Sequence, residues 1–208
     1  MLSWPNKREL KEEQKMGTTQ PIRKNEEIEC LKEYFLKKGE IRNYALITMG
    51  MNTALRISDL LELCWKDVWN YSRNCFKQYL SLEEKKTQKR QIIYLNSACI
   101  DGLNLLKNES EGRTDAEYYL FQSRMKGNNH IGRNRAYVLI TKAWKELGYE
   151  GCISCHSLRK TFGYHAWKSG VSPAVIMNIY NHSSMEITKR YLSIDQDDKD
   201  RVYREMVL

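Results

Sequence analysis

The stretch His156-Ser-Leu-Arg-Lys-Thr-Phe162 narrows the fold more than any other part of the sequence. Apolar residues recur with helical spacing over about 156–169, which predicts that His156 and Arg159 share one face at the start of a helix. Because a helix N-terminus attracts anions, an imidazole and a guanidinium at that position are suited to hold a phosphate. The plainer alternative is a capping histidine beside a surface arginine.

A second arginine stands in the segment Ala54-Leu-Arg-Ile-Ser-Asp-Leu-Leu61. Arg56 and Asp59 are three residues apart on a predicted helix and therefore share a face. An ordinary ion pair on the surface has the same spacing and is the alternative.

A basic tip, Lys85-Lys-Thr-Gln-Lys-Arg90, joins two stretches that alternate apolar and polar residues and predict a β-hairpin. Strand parity directs Lys86 toward the body of the protein and Lys85 away from it. A solvated run of charge is the alternative.

The segment Tyr180-Asn-His-Ser-Ser-Met-Glu-Ile-Thr-Lys-Arg-Tyr191 spans the break between two predicted helices. His182 lies in that break, and Tyr191 lies near the end of the second helix. Since the chain has 13 tyrosines, a half-buried aromatic is the alternative for any single one of them.

The four segments together resemble the active-site pattern of the tyrosine recombinases, the phage integrase family. The pattern consists of Arg56, Lys86, His156, Arg159, His182 and Tyr191, with Asp59 in support. Arg159 and His182 are 23 residues apart and His182 and Tyr191 are 9 apart, as in that family. The resemblance covers about residues 22–194. One departure is Asn181, where the family more often has glycine.

The resemblance implies a mechanism that needs neither metal nor ATP. Tyr191 would attack the scissile phosphate and form a 3′-phosphotyrosyl link, while Arg56 and Arg159 bind the non-bridging oxygens. Lys86 would protonate the departing 5′-oxygen, His156 would act as general acid or base, and His182 would hydrogen-bond the phosphate. Further DNA contacts are expected from Lys85, Lys89, Arg90 and Lys160.

The resemblance also implies the partners: double-stranded DNA, a tetramer of the chain on that DNA, and an accessory protein that bends DNA or sets the direction of reaction. Integration, excision and inversion all fit. Two alternatives remain open, a DNA-binding regulator of the same fold that does not cut, and relaxation of DNA as by a type IB topoisomerase.

Hydrophobic periodicity predicts a mainly α-helical fold with one small antiparallel β-hairpin or sheet. The resemblance implies that this is the fold of a tyrosine recombinase catalytic domain. We expect a polar N-terminal arm over residues 1–21 and the catalytic domain over 22–194. Residues 195–208 form a tail that docks on its own domain or on a neighbouring protomer. Recombinases of this family often carry a DNA-clamping domain before the catalytic one, so the chain is either a short recombinase or part of a longer protein.

Composition agrees with a folded protein that binds a polyanion. The chain has 208 residues, 41% of them hydrophobic, and a net charge of +8. Five acidic residues lie in the tail over 195–208, so the body is more basic than the whole. With no secretory signal and no run of 18 apolar residues, we expect a cytoplasmic, nucleoid-associated protein without a membrane partner.

The cysteines offer one competing pattern. Cys152-Ile-Ser-Cys155-His156 reads C-x-x-C-H, as at c-type haem attachment sites. A zinc site would require a second pair at ligand spacing, which the sequence lacks. Two ordinary reduced thiols before a helix are the favoured interpretation, and no metal or cofactor is expected.

Overall fold

A computed structural model describes residues 19–110, 112–124, 127–194 and 203–207. Helices dominate it, as the sequence predicts. The first five in chain order are α1 (Asn25–Lys37), α2 (Ile41–Thr53), α3 (Ile57–Leu61), α4 (Trp65–Val68) and α5 (Ser97–Glu109). They are followed by α6 (Arg133–Glu146), α7 (Cys155–Lys168), α8 (Pro173–Tyr180) and α9 (Met185–Leu192).

Two short antiparallel hairpins lie between α4 and α5. The first pairs β1 (Trp69–Asn70) with β2 (Cys75–Phe76), and the second pairs β3 (Tyr79–Glu83) with β4 (Arg90–Tyr94). A single strand through residues 76–84 was expected from the parity of its apolar residues. The chain instead changes its pairing partner: Lys77 N–H donates to Val68 O at 2.7 Å, next to the β1–β2 pair, and Gln78 O accepts from Leu95 N at 3.0 Å, next to the β3–β4 pair.

The main core is built around α2, which is buried over most of its length and packs against α5 and α7. The polar stretch over 108–132, ambiguous in sequence, contributes three buried side chains to this core: Leu120, Phe121 and Ile131. Burying α2 fixes its C-terminal end, and Ala54 closes it in the left-handed conformation at φ 54°. The chain therefore turns sharply just before Arg56.

A second, smaller core lies under α7, α8 and α9. Ala54, Tyr164, Ile176, Tyr180, Leu192 and Ile194 form it. The helices approach closely at Gly163, where a Cβ atom would lie 2.5 Å from the Tyr180 hydroxyl and 2.6 Å from Leu192 Cδ2. This close contact sets the distance between α7 and the two elements that follow it.

Gly163→Ala is therefore expected to destabilise the protein by about 1–3 kcal/mol, because overpacking outweighs the gain in helix propensity. Gly102→Ala is the matched control, since it is also inside a helix but its Cβ would meet its nearest atom at an ordinary 3.7 Å. The control should be neutral or more stable by up to about 1 kcal/mol. Chemical denaturation measures both, and equal stability of the two variants would contradict this account of the contact.

Several helix ends differ from the sequence expectation. The sequence predicts Asn25 as the N-cap of the first helix, but Lys24 is the residue before α1, and Arg56 is the N-cap of α3 rather than a residue within it. The segment Ser183-Ser-Met-Glu186 predicts a capping box, but none forms in the described structure: Ser184 is the N-cap of α9, its hydroxyl accepts from Ile187 N at 3.3 Å, and the apolar Ile187 side chain cannot return the bond.

The end of the predicted N-terminal arm is attached to α7. Gln20 N donates to Cys152 O at 3.0 Å, and Ile22 N donates to Thr161 Oγ1 at 2.9 Å. Residues 1–18 of the arm, and 195–202 and 208 of the tail, lie outside the described residues. Residues 203–205 form one exposed helical turn, and none of the helices described is long and apolar enough to cross a membrane.

Candidate active site

Four chain segments meet at one surface of the domain. They are the turn before α3, the tip of the β3–β4 hairpin, the first turn of α7, and the α8–α9 break with α9. Each carries residues singled out from the sequence. The small core under α7, α8 and α9 supports them from below.

Arg159 is the most firmly held of these residues. It is buried, and its guanidinium donates to Ala54 O and, at 3.4 Å, to Tyr180 O. The guanidinium carbon also lies 4.6 Å from the centre of the Tyr180 ring. A long flexible side chain is thereby fixed in one position before any ligand binds.

Arg56 is half-buried and faces an acid that the sequence interpretation missed. Its Nη1 lies 2.6 Å from Glu84 Oε1, and Arg159 Nη1 lies 3.8 Å from the same oxygen. The Arg56 contact is an ion pair without the alignment of a hydrogen bond, since buried Nη1 has no hydrogen-bond acceptor in the described structure. One carboxylate therefore lies between the two arginines.

Glu84 follows directly after β3 and is 1% exposed. Burial acts to raise the pKa of its carboxyl, but Thr87, Arg56 and Arg159 bring that pKa below its usual value. The acid is therefore ionised at neutral pH. A signal for it existed in the sequence, because the parity of Leu80 and Leu82 places residue 84 on the inner side of the hairpin.

Asp59 does not contact the arginines. It is buried, its Oδ1 accepts from Lys85 N at 3.3 Å, and its buried Oδ2 has no hydrogen-bond partner in the described structure. Burial raises the pKa of this carboxyl above the usual range, with a contribution from Glu84. The expected supporting acid thus holds the hairpin tip rather than the cations.

Tyr191 and His182 lie together beside Arg159. Their ring centres are 5.2 Å apart, and both rings also lie against Tyr180, at 5.4 Å. Burial raises the pKa of the Tyr191 phenol, while the Arg159 and Arg56 guanidiniums act in the opposite direction. The phenol is half-buried and lies next to the cations that would stabilise its ionised form.

The His182 pKa is lowered by burial and by Arg159 and Arg56, so the ring is neutral at pH 7. Its Nδ1 lies 3.1 Å from Thr188 Oγ1. The preceding Asn181 has φ 54°, the left-handed region where glycine or asparagine is favoured. Asparagine in place of the glycine more common in the family is therefore compatible with the backbone conformation at this position.

His156 and Lys86 lie at the open side of the site, and both are exposed. The pKa of His156 is lowered by partial burial and by the charges of Lys160, Arg159 and Lys86. Lys86 lines a cavity of about 360 Å³ together with Lys85, His130 and Arg133. Strand alternation does not determine the direction of the Lys86 side chain, because β3 ends at Glu83. The hairpin tip that follows turns at Gln88, which has φ 54°.

The other residues predicted to contact DNA differ in how far their side chains are exposed. Lys89 and Arg90 are exposed on the hairpin, and Lys85 is exposed but paired with Glu62. Lys160 is buried, and its Nζ donates to Thr19 O at 2.5 Å. It presents no charge to the surface, because it lies on the inner side of α7 with the N-terminal segment over it.

The cysteines form no disulfide bonds in this structure. All six cysteines are free, and burial raises the pKa of Cys155 to about 12. Across the described ranges, no group of three or more histidine, cysteine or acidic side chains is placed to hold a metal.

His156 is expected to titrate below its ordinary value of about 6.5, because partial burial and neighbouring cations disfavour the imidazolium. Lys86→Gln should raise the His156 pKa by removing one of those charges. NMR titration of the histidine ring measures both values. A His156 pKa unchanged in the variant would show that Lys86 does not lie close to the imidazole.

The sequence and the fold are both similar to those of known proteins. Residues 22–197 match the sequence model of the phage integrase family. The chain is 40% identical over 190 residues to the probable integrase/recombinase YoeC of Bacillus subtilis, covering 91% of this chain and 97% of that protein. It is 26% identical to the tyrosine recombinase XerA of Pyrococcus furiosus, covering 81% of this chain but 56% of that relative.

Solved structures show the same fold. A crystal structure of the XerA recombinase superposes with a TM-score of 0.69 at 20% identity, covering 92% of this chain and 67% of that one. The recombinase XerH bound to its difH substrate after cleavage gives a TM-score of 0.68 at 20% identity, covering 91% and 54%. The chain thus spans about half to two thirds of these longer recombinases. The family model covers most of the sequence, and the chain therefore belongs to the phage integrase family of tyrosine recombinases, enzymes of the DNA strand-transferase class.

Proposed function

We propose that this protein cuts and rejoins double-stranded DNA at specific sites through a covalent 3′-phosphotyrosyl intermediate on Tyr191. One observation carries the proposal. The Tyr191 ring lies 5.2 Å from that of His182, beside Arg159 and Arg56, whose charges act against the burial that raises the pKa of its phenol. A nucleophile next to preorganised cations is the arrangement that phosphoryl transfer without metal requires.

In the cutting step, the Tyr191 oxygen forms a bond to phosphorus while the bond from phosphorus to the 5′-oxygen breaks. The phenol proton passes to neutral His156, and Lys86 donates a proton to the departing 5′-oxygen. In the rejoining step a 5′-hydroxyl attacks the phosphotyrosine and both protons return. Each step exchanges one phosphodiester for another, so no ATP is consumed.

The two arginines would bind the non-bridging oxygens as charge accumulates on them. Arg159 is already fixed by two backbone carbonyls and the Tyr180 ring, so little reorganisation is required. Arg56 has 22% of its side chain exposed, and its guanidinium can therefore meet an oxygen that arrives from outside. His182 would add a hydrogen bond to the same phosphate.

The duplex would run over the open side of the site. Lys86, Lys89, Arg90 and Arg133 are exposed there, and cations placed along a DNA backbone give an affinity that falls steeply with salt. As with the XerH complexes on difH, the substrate proposed here is a specific duplex site. Recombination between two such sites would involve four protomers at the nucleoid, with an accessory protein that bends DNA or sets direction.

Covalent trapping tests the proposal. Genomic fragments bound by the protein are recovered by pull-down, nicked on each strand in turn, and incubated with the protein at low salt. A nick next to the scissile phosphate lets the short leaving strand diffuse away, so the intermediate accumulates. A protein–DNA adduct that survives denaturant supports the proposal. Binding without any adduct would instead favour a DNA-binding regulator of this fold.

A further inference from the structure

We propose that Glu84 is the positioning residue of the active site, holding Arg56 and Arg159 in place and coupling them to the hairpin tip that carries Lys86. The proposal deepens the recombinase function proposed above and rests on it. Glu84 belongs to none of the motifs through which the sequence resembles the family.

The first support is the position of its carboxylate. Oε1 lies 2.6 Å from Arg56 Nη1 and 3.8 Å from Arg159 Nη1, and the residue is 1% exposed. A buried acid next to two guanidiniums balances their charge and fixes the distance between them. Without it, two like charges would face each other in a partly buried site with no carboxylate between them.

The second support comes from the other carboxylate oxygen. Glu84 Oε2 accepts from Thr87 Oγ1 at 2.7 Å and from Asn181 Nδ2 at 3.0 Å. Thr87 follows Lys86 directly, and Asn181 precedes His182 directly. The Glu84 side chain, at the hairpin tip, therefore contacts each of the other three segments that meet at the site.

The backbone of Glu84 also shapes the tip. Its N–H donates to Lys89 O at 3.0 Å, and its carbonyl accepts from Gln88 N at 2.8 Å. These bonds close the turn over residues 84–89 that presents Lys86. The conformation of the hairpin tip and the positions of Arg56 and Arg159 thus depend on one residue.

Asp59 cannot substitute for Glu84 in this arrangement. In the described structure no cation lies within ion-pair distance of its carboxylate, and its Oδ1 is occupied by Lys85 N. The two carboxylates thus have different partners. Asp59 accepts a hydrogen bond from the backbone of the tip, whereas the Glu84 carboxylate contacts the two arginines.

If Glu84 positions the two arginines, a specific result is expected for the variant Glu84→Gln. The amide keeps the size of the side chain but removes the charge that holds the guanidiniums. Binding of duplex DNA should be as tight as in the wild type or tighter, since one negative charge near the phosphate is lost. The rate of cleavage at saturating DNA should fall about a hundredfold, as expected for reacting groups displaced by an ångström.

Glu83→Gln is the matched control, because Glu83 is the adjacent acid but is exposed at the end of β3. Adduct formation on a nicked duplex and DNA affinity are measured for the wild type and both variants. Slow cleavage with undiminished affinity in Glu84→Gln alone supports the proposal. Equal cleavage rates in the two variants overturn it, as does a loss of affinity that accounts for the whole defect.

A double-mutant cycle separates this proposal from the proposed function. Unfolding free energies of Glu84→Gln, Arg56→Gln and the double variant give the coupling between the two side chains without any DNA reaction. If the wild type forms no adduct, the recombinase proposal fails, and significant coupling still supports Glu84 as the residue that holds the arginine. Additive effects overturn the positioning role whether or not the wild type cuts DNA.

Discussion

Tyr191→Phe is expected to abolish the covalent adduct while DNA binding stays within about twofold of the wild type, because one oxygen is lost and the packing surface is kept. The ring lies against Tyr180 and His182, and phenylalanine preserves both contacts. The rate of cleavage should fall by about 10⁴-fold or more, as when a covalent nucleophile is removed. Quantitative adduct formation on nicked duplex measures this rate, and filter binding measures the affinity.

The control is Tyr94→Phe, which removes a hydroxyl from an exposed ring on the hairpin. It should leave both the rate and the affinity unchanged. If Tyr191→Phe formed the adduct at the wild-type rate, the nucleophile would be another residue. If it lost DNA binding as well, the effect would be on the fold rather than on the chemistry.

Lys86→Ala is expected to slow cleavage by about 10²–10⁴-fold, the usual contribution of a positioned general acid. Lys85→Ala is the matched control at the adjacent residue. The Lys85 ammonium is paired with Glu62 on the exposed side of the hairpin, so its loss should change cleavage by less than about threefold. Single-turnover cleavage of nicked duplex at saturating protein compares the two.

A substrate with sulfur in place of the scissile 5′-oxygen shows whether the defect is one of proton donation. A thiolate is a much better leaving group than an alkoxide and departs without a proton, since thiol pKa values lie near about 8.5. Cleavage of this substrate by Lys86→Ala should approach the wild-type rate. A defect of equal size on both substrates would mean that Lys86 acts by binding the DNA and not as the acid.

Much of the fold could be read from hydrophobic periodicity. The sequence predicts helices over about 97–107, 133–147, 156–169, 173–180 and 184–192, and α5 to α9 begin and end within two residues of these bounds. Each has an apolar face, and a glycine follows α5, α6 and α7 within three residues. The expectation was less accurate at the β-hairpins. Period-two patterning does not show where a chain changes its pairing partner, as it does between Lys77, bonded to Val68 O, and Gln78, bonded to Leu95 N.

The positions of site residues could be predicted where their spacing places them on one helix. They were harder to predict where tertiary contacts determine which residues come together. His156 and Arg159 share the first turn of α7 as expected. The burial of Lys160 under Thr19 depends on a segment more than a hundred residues away, and no local pattern indicates it. Glu84 was not predicted: strand parity could have placed it on the inner side of the hairpin, but its two arginine partners come together only in the folded chain.

The most direct test is to identify the residue that carries the DNA. The trapped adduct is digested with nuclease and protease, and the peptide that retains a nucleotide is sequenced by mass spectrometry. We expect a 3′-linked nucleotide on the Tyr191 phenol and no modified peptide from Tyr191→Phe. A nucleotide attached to a different residue, such as Ser183 or Tyr180, would contradict the assignment of the nucleophile and with it the mechanism proposed here.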